Sequence, residues 1–470
     1  MKRLMKNILS LFVLVIIGLA VYEILKLDVV PDKYLILFLI LEGCLFLLGL
    51  ILYNIKKKFI MVLGIIIYIL LIGGNIFGYY YLSKVNNYIS QNLKNDTYTI
   101  TTKYYLAAYK DNEVNKLEDI SSDSIIYYYK YSRSIEKAKK DIGTYNYEGS
   151  DSIFESLKNV KDYGRYLLIG KADYDYLFDG VKVDTVLKED YKVIYEFNVD
   201  EKVKINKNVP DSYNVYINGL DFTGVMRDYN LIATVNTKTH KIVLTSIPRD
   251  FYIDVPAYNM KDTLMCLGSL DSKVSKEALE KLFNTKIDYV INLNTNSLVG
   301  VVDALGGVEF CSDFDFTTDH ALVLNTYDDT TGKKLHVSKD CDTYNGIEML
   351  AIARERMALP GRDRYRQKNC RQILINITKK LASTTTLTNY SEVMSSFDGL
   401  YTTDMNDKVI KKLIKTALED NSFEIIEQSV DGTDGIGIGH LGTQESWIMN
   451  PAMDTLNAAS NKINEVLNEK

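Results

Sequence analysis

The chain has 470 residues and a formal net charge of -6, too long for one ordinary domain and too acidic for a general nucleic-acid binder with a broad basic surface. Proline is scarce, no low-complexity linker stands out, and no repeat recurs at solenoid periods. The four histidines (His240, His320, His336, His440) are scattered and no Cys/His metal spacing exists, so zinc chemistry is not expected.

Three apolar runs, 7–27, 34–54 and 59–82, each come near the ~20 residues that cross a bilayer. Glu23 and Glu42 interrupt two of them. Lys2, Arg3 and Lys6 precede the first run, and Lys56, Lys57 and Lys58 separate the second from the third, whereas the connection 27–33 has no positive excess. The positive-inside rule puts the N-terminus and the Lys56–Lys58 loop in the cytoplasm, so everything after about Ser83 lies outside. The expected organisation is a three-span anchor (1–82), an accessory domain (83–205) and a third unit (206–470).

Residues 83–205 are rich in Tyr and Lys. Thr97–Tyr109, Ser124–Tyr131 and Tyr166–Ile169 read as strands, and 134–141 and 152–162 as helices, so a small α/β domain is expected. Its tyrosines could stack on sugars, but packing explains them more simply. From Tyr213 onward, strand-like runs (213–218, 231–236, 242–247, 289–294) alternate with helical ones (275–284, 295–304, 346–356, 363–381, 407–419, 451–469). The expected fold is an α/β core with helices on both faces. Asp313–Asp340 reads as a polar surface excursion. Cys311 and Cys341 flank it, and outside the cell a disulfide closing it and two free thiols are the two alternatives; Cys266 and Cys370 read as buried thiols and Cys44 lies in the membrane. Gly435-Ile-Gly-Ile-Gly439 lacks the Lys-Ser/Thr of a nucleotide loop and reads as a plain loop.

The chemistry concentrates in arginine. Of eleven arginines, against forty-four lysines, six lie in Arg354–Gln372, and Arg227, Arg249 and Arg362 each precede an aspartate. Where lysine is the default, arginine points to a need for its planar fork, which matches carboxylates and phosphates. Acidic residues and arginines at strand ends, Asp221, Asp228 and Arg249, sit where α/β sheets collect ligands. Arg366 falls in the first turns of a helix, a place that suits an anion. On this reading Asp221 and Asp228 hold Mg²⁺ or Mn²⁺, and Arg249, Arg354 and Arg366 bind a pyrophosphate. A salt-bridge network bracing three loops is the competing reading. Leu298, Val301, Val302, Ile373, Leu374 and Ile377, on the helices after Ser297 and Asp363, are the candidate walls of an apolar groove beside this site.

Gly219-Leu-Asp221, Arg227-Asp228, Thr234-Val-Asn-Thr-Lys-Thr239, Ser246-Ile-Pro-Arg-Asp250, Val302-Asp-Ala-Leu-Gly-Gly-Val308, Ala353-Arg-Glu-Arg356 and Asp363-Arg-Tyr-Arg366 together resemble the LytR-CpsA-Psr family of cell-wall glycopolymer transferases. The resemblance covers about residues 210–385. It implies an α/β/α sandwich and transfer of a glycopolymer from a polyprenyl-pyrophosphate carrier onto peptidoglycan at the outer face of the cytoplasmic membrane. It places Mg²⁺ at Asp221 and Asp228 and pyrophosphate contacts at Arg249, Arg354 and Arg366. Arg356 and Cys370 join the expected pyrophosphate-binding set, and Asp363 the catalytic one. Four departures stand out: a short step from Asp221 to Asp228, no serine between Arg227 and Asp228, Cys370 where glutamine is common, and Arg362 in place of a usual glycine. A non-catalytic protein that binds polyprenyl phosphate and regulates envelope synthesis is the alternative.

Overall fold

The computed structural model describes residues 2–92, 97–178, 190–221, 226–270, 273–324, 331–381, 401–420, 423–442 and 445–470. The anchor is three helices, α1 (Lys2–Leu27), α2 (Asp32–Asn54) and α3 (Lys58–Asn92), each long and apolar enough to cross a membrane. The last helix runs past the expected boundary at 82 as one continuous rod. Asparagines of α3 answer both intramembrane acids: Asn86 donates to Glu23 Oε2 at 2.6 Å and Asn75 to Glu42 Oε2 at 3.1 Å. A buried polar group in an apolar bundle needs such a partner. Gly49 lets α2 approach α3 closely, since a Cβ there would stand 2.7 Å from the Tyr68 ring.

The accessory domain follows as β1 (Thr97–Tyr109), β2 (Ile125–Tyr129), α4 (Ile135–Ile142), β3 (Asn146–Ser150), α5 (Ile153–Tyr163), β4 (Tyr166–Gly170), α6 (Lys171–Phe178) and β5 (Tyr191–Lys204). Its sheet has the order β3-β2-β4-β1-β5. Tyr104, Tyr127, Tyr129, Tyr166, Tyr174 and Tyr191 are buried, so these tyrosines serve packing. One hydrophobic core runs from Tyr129, Ile153 and Leu167 of this domain into Ile253, Leu264, Leu441 and Met449 of the next. The two domains therefore share an interior.

The third unit contains β6 (Ser212–Leu220), β7 (Arg227–Asn236), β8 (Lys241–Ile247), β9 (Tyr252–Val255), β10 (Met260–Thr263), α7 (Leu267–Leu270), α8 (Val274–Phe283), β11 (Tyr289–Leu293) and α9 (Thr295–Ala304). Next come β12 (Val308–Ser312), β13 (Phe316–Ala321), β14 (Lys334–Val337), β15 (Asp340–Tyr344), α10 (Gly346–Arg354) and α11 (Asp363–Leu381). The chain ends with β16 (Tyr401–Thr403), α12 (Asp407–Asp420), β17 (Glu424–Ser429), β18 (Gly432–Gly437), β19 (Ser446–Pro451) and α13 (Met453–Asn468). The central sheet has the order β16-β11-β6-β7-β8-β17. It is mixed: β6, β7 and β8 form an antiparallel meander, while β11 runs parallel to β6 and β17 parallel to β8.

Strand side chains alternate between the two faces. Tyr213, Val215, Leu231 and Ala233 pack on the face that meets Ile375 of α11 and Val409 of α12. Tyr216 and Ile232 pack on the opposite face, with Leu279 of α8 and Ile463 of α13. The result is an α/β/α sandwich.

Two expectations change. Gly435–Gly437 is not loop but part of β18, paired with β19 from Gly432↔Pro451 to Gly437↔Ser446. Its glycines admit the partner strand, because a Cβ on Gly437 would lie 2.7 Å from Ile448 Cδ1. Helix α10 ends at Arg354, where Glu355 turns extended, so Arg356 lies beyond the helix. The excursion is stapled: Cys311 and Cys341 are disulfide-bonded across the β12–β15 pair.

The third unit also rests on the anchor. Lys415 of α12 pairs with Asp32 at 3.0 Å, in the α1–α2 connection, and Lys33 donates to the Glu419 carbonyl. Tyr401 and Ile410 pack against Leu27 and Val85. The edge of the sheet carrying β16 is thus the edge nearest the membrane.

Candidate active site

Because β7 runs opposite to β6 and β8, its start lies at the same end of the sheet as their ends. That topology brings Asp221, Asp228, Arg249 and Asp250 to one rim. Asp221 closes the β6–β7 turn: its N–H donates to the Met226 carbonyl at 2.8 Å, and its Oδ1 accepts from the Met226 N–H at 3.2 Å. A bulge follows, with Gly219 paired to Tyr229 but Leu220 paired to Arg227. Bulges re-aim side chains beside active sites. Asp228 faces Arg249, Arg366 and Arg356, whereas Arg227 is buried facing Arg133, Tyr98 and Tyr216. With no residue between them, Arg227 and Asp228 serve different surroundings, and Arg227 does not join the site.

Arg249 Nη1 binds Asp228 Oδ1, and Arg249 Nε stands 3.8 Å from Asp250 Oδ1. Arg366, buried in the first turn of α11, is the other fixed guanidinium. Its Nε donates to Asp363 Oδ1 at 2.8 Å, and its Nη2 reaches the same oxygen at 2.6 Å and the Asp228 carbonyl at 2.7 Å. Gln367 donates to Asp363 Oδ2 at 2.9 Å. Asp363 therefore orients Arg366 rather than standing open to a substrate. Burial pushes the Asp228 and Asp363 carboxyls up, but the neighbouring arginines outweigh it and hold both below the usual range. Asp228 keeps 40% of its side chain exposed, so this carboxylate faces solvent as well as Arg249.

Arg356 differs from both. It is half-buried on the loop after α10; its carbonyl accepts from the Leu359 N–H at 3.2 Å, but its guanidinium forms no hydrogen bond or ion pair among the described residues. Repulsion from Arg249, then burial, then repulsion from Arg366 lowers its proton affinity below that of an ordinary arginine. Three guanidinium groups thus converge, with one uncommitted. Arg354 is half-buried at the last position of α10 and already engaged. The charges that weigh most on Asp228 are those of Arg249, Arg366 and Arg356, not of Arg354.

The rest of the arginine-rich stretch braces the fold. Arg364 grips Asp431 at 2.8 and 3.0 Å, and Arg371 binds Ser246 Oγ at 2.8 Å and Glu427 at 3.1 Å. For these two the salt-bridge reading holds. Arg362 adopts a φ of 49°, in the left-handed region that favours glycine. Glu355, fully buried, accepts from the Asp319 N–H and, at 2.9 Å, from the Ala358 N–H, fixing the loop that carries Arg356. Cys370 donates to the Ala353 carbonyl at 3.4 Å, and burial raises its thiol to about 11, so it stays a neutral thiol turned to the backbone.

The six expected groove residues divide between two cores. Val301, Val302 and Ile373 are buried in a core that Leu298 and Ile377 pack against, while Leu374 packs into the core under the sheet. Ile373, Leu374 and Ile377 fall on one side of α11, with Leu374 at the edge of that stripe that turns to the sheet. One residue of the site was missed as a chemical group. Asp250 has its carboxyl raised above the usual range by burial, opposed by Arg249 and reinforced by Asp363. Its position directly after Arg249 at a strand end was the available signal.

The structure thus joins an α/β/α domain, with three arginines converging on its strand-end rim, to three helices long and apolar enough to cross a membrane. The chain belongs to the LytR_cpsA_psr family, which matches residues 179–465. It is similar to the polyisoprenyl-teichoic acid–peptidoglycan teichoic acid transferase TagU of Enterococcus faecalis, 26% identical over 258 residues, covering 52% of this chain and 80% of the relative. It is also similar to the TagU of Bacillus cereus, 29% identical over 297 residues, covering 60% and 87%. Among solved structures, B. subtilis TagV aligns with a TM-score of 0.45 at 18% identity, covering 55% of this chain and 98% of that one. TagT bound to LI-WTA aligns with a TM-score of 0.43 at 20% identity, covering 55% and 92%.

Proposed function

We propose that this protein is a phosphotransferase that moves a glycopolymer from a polyprenyl-pyrophosphate carrier onto peptidoglycan, on the outer face of the cytoplasmic membrane. The observation that carries the reading is Arg356: an uncommitted guanidinium beside two fixed ones is what a doubly charged pyrophosphate would complete. The similarity to the two TagU proteins, whose names state such a transfer, supports the same reading.

In the reaction, a hydroxyl oxygen of peptidoglycan attacks the glycan-side phosphorus. A new phosphodiester forms, the bond to the bridging oxygen breaks, and polyprenyl phosphate leaves. Arg249, Arg356 and Arg366 hold the phosphate oxygens in line and neutralise the charge that grows on the leaving phosphate. Little covalent work is asked of the protein in such a transfer, so positioning and electrostatics dominate. The proton of the acceptor hydroxyl goes to Asp250, the carboxylate of the site whose proton affinity is raised.

Asp221 and Asp228 offer only carboxylate oxygens, and Asp228 is both ionised and partly open, a donor set that fits Mg²⁺ or Mn²⁺. Such an ion would supply further charge neutralisation at the phosphates. Turnover of a lipid-linked glycan by the purified protein tests the proposal, and binding without turnover would leave only a carrier-binding protein.

The orientation rests on the lysine pattern and on α12 touching the α1–α2 connection. Protease added to intact protoplasts should digest the domains beyond Asn92 and spare the Lys56–Lys58 loop. Protected domains with a cut loop would reverse the topology.

A further inference from the structure

Away from the arginine site, four polar side chains from distant stretches meet where the accessory and catalytic domains share their core. Asp262 lies on β10, Cys266 follows one turn later, His440 comes from the connection between β18 and β19, and Asp173 from α6 of the accessory domain. All four are buried, Asp262 and His440 almost completely. None takes part in the phosphotransfer chemistry.

An Asp262 carboxylate oxygen, the Cys266 sulfur and a His440 ring nitrogen lie within 4.8 Å of one another. His440 Nδ1 is 3.2 Å from Asp262 Oδ2. Two ligands bound at ~2.0–2.1 Å to one tetrahedral ion stand roughly 3.3 Å apart, so this edge already has the right length. The other ring nitrogen, Nε2, is 2.9 Å from Asp173 Oδ1 and 3.0 Å from Ser269 Oγ. Ligating histidines are held in this way, with the far N–H given to a carboxylate that fixes tautomer and ring plane. A mixed nitrogen, sulfur and oxygen set suits zinc; Mg²⁺ and Ca²⁺ would avoid the sulfur. On the Nε2 side of the ring, Asp173 and Ser269 also line a cavity of about 230 Å³ between the domains, with Tyr104 and Arg133.

We propose that Asp262, Cys266 and His440 Nδ1 form a zinc site, with water as the fourth ligand and Asp173 orienting the imidazole from the accessory domain. Binding releases the thiol proton to solvent and leaves the imidazole neutral, protonated on Nε2. The ion fastens the connection that carries His440 to the segment after β10, and through Asp173 it ties the accessory domain to both. No spacing in the sequence announces the site, because its histidine lies far along the chain from Asp262 and Cys266.

The test uses the full-length protein in detergent micelles, stripped with a chelator and then equilibrated with Zn²⁺ or Co²⁺. Stoichiometric zinc by elemental analysis is expected, with a thiolate-to-cobalt charge-transfer band in the Co²⁺ form. Cys266→Ser, a near-isosteric change, should remove the band. Asp173→Asn should keep the band and weaken zinc binding by about ten-fold or more. Circular dichroism of each variant separates lost binding from lost folding. Wild-type protein that takes up no stoichiometric zinc would overturn the proposal and leave His440 as a hydrogen-bonded link between two carboxylates. Zinc held equally well by Cys266→Ser, or a Co²⁺ complex lacking the thiolate band, would overturn it as well.

Discussion

Arg356→Lys lowers transfer activity by at least about ten-fold while leaving the unfolding midpoint within error of the wild type. The two halves of this result have separate causes. The Arg356 side chain has no hydrogen-bonded or ion-pair partner among the described residues, so the folded state loses little when it changes. In the complex with pyrophosphate, lysine keeps the charge but not the planar pair of donors, and a charge-assisted hydrogen bond contributes about 1.5–3 kcal/mol. At ~1.4 kcal/mol per factor of ten, that loss is roughly ten-fold or more in turnover. Steady-state transfer and thermal unfolding, measured on the same preparation, check both halves. A variant with full activity would mean that Arg356 does not touch the reacting phosphates.

Arg366→Met should behave in the opposite way and damage the fold as well as the activity. Arg366 is 4% exposed and gives its Nε and Nη2 to Asp363 and its Nη2 to the Asp228 carbonyl. Methionine fills a similar volume but leaves the mostly buried Asp363 carboxylate without its main counter-charge. Breaking a buried pair from one side costs about 3–5 kcal/mol, whereas removing both charges is far milder. The double variant Asp363→Asn/Arg366→Met should therefore recover most of the stability in a denaturant titration, yet remain inactive. If the double variant is as unstable as the single one, the pair is not what holds the start of α11.

Much of this was legible in the sequence, for physical reasons. Thr97–Tyr109 alternates β-branched and aromatic residues and is the strand β1 over that same span. The central strands and the long helices were visible because their apolar periods differ. Antiparallel pairing of β6, β7 and β8 then carries separated motifs to one rim. What the sequence could not show is which way neighbouring charges point. Arg227 and Asp228 are adjacent letters, and the structure shows which of them faces the accessory domain and which the site. Arg354 and Arg356 looked equivalent at a helix end, yet the helix stops between them. Gly435 and Gly437 read as loop because glycine is common in turns, but here it clears room for a facing strand. The shared core of the two soluble domains, built from contacts far apart in sequence, left no local pattern.

The most direct measurement gives purified full-length protein, in micelles with Mg²⁺, a synthetic polyprenyl-pyrophosphate-linked glycan and peptidoglycan fragments, and follows both products together. The account predicts polyprenyl phosphate released in step with glycan joined to peptidoglycan through a phosphodiester, with both lost when the acceptor is left out. Tight binding of the lipid-linked glycan with neither product formed would contradict it.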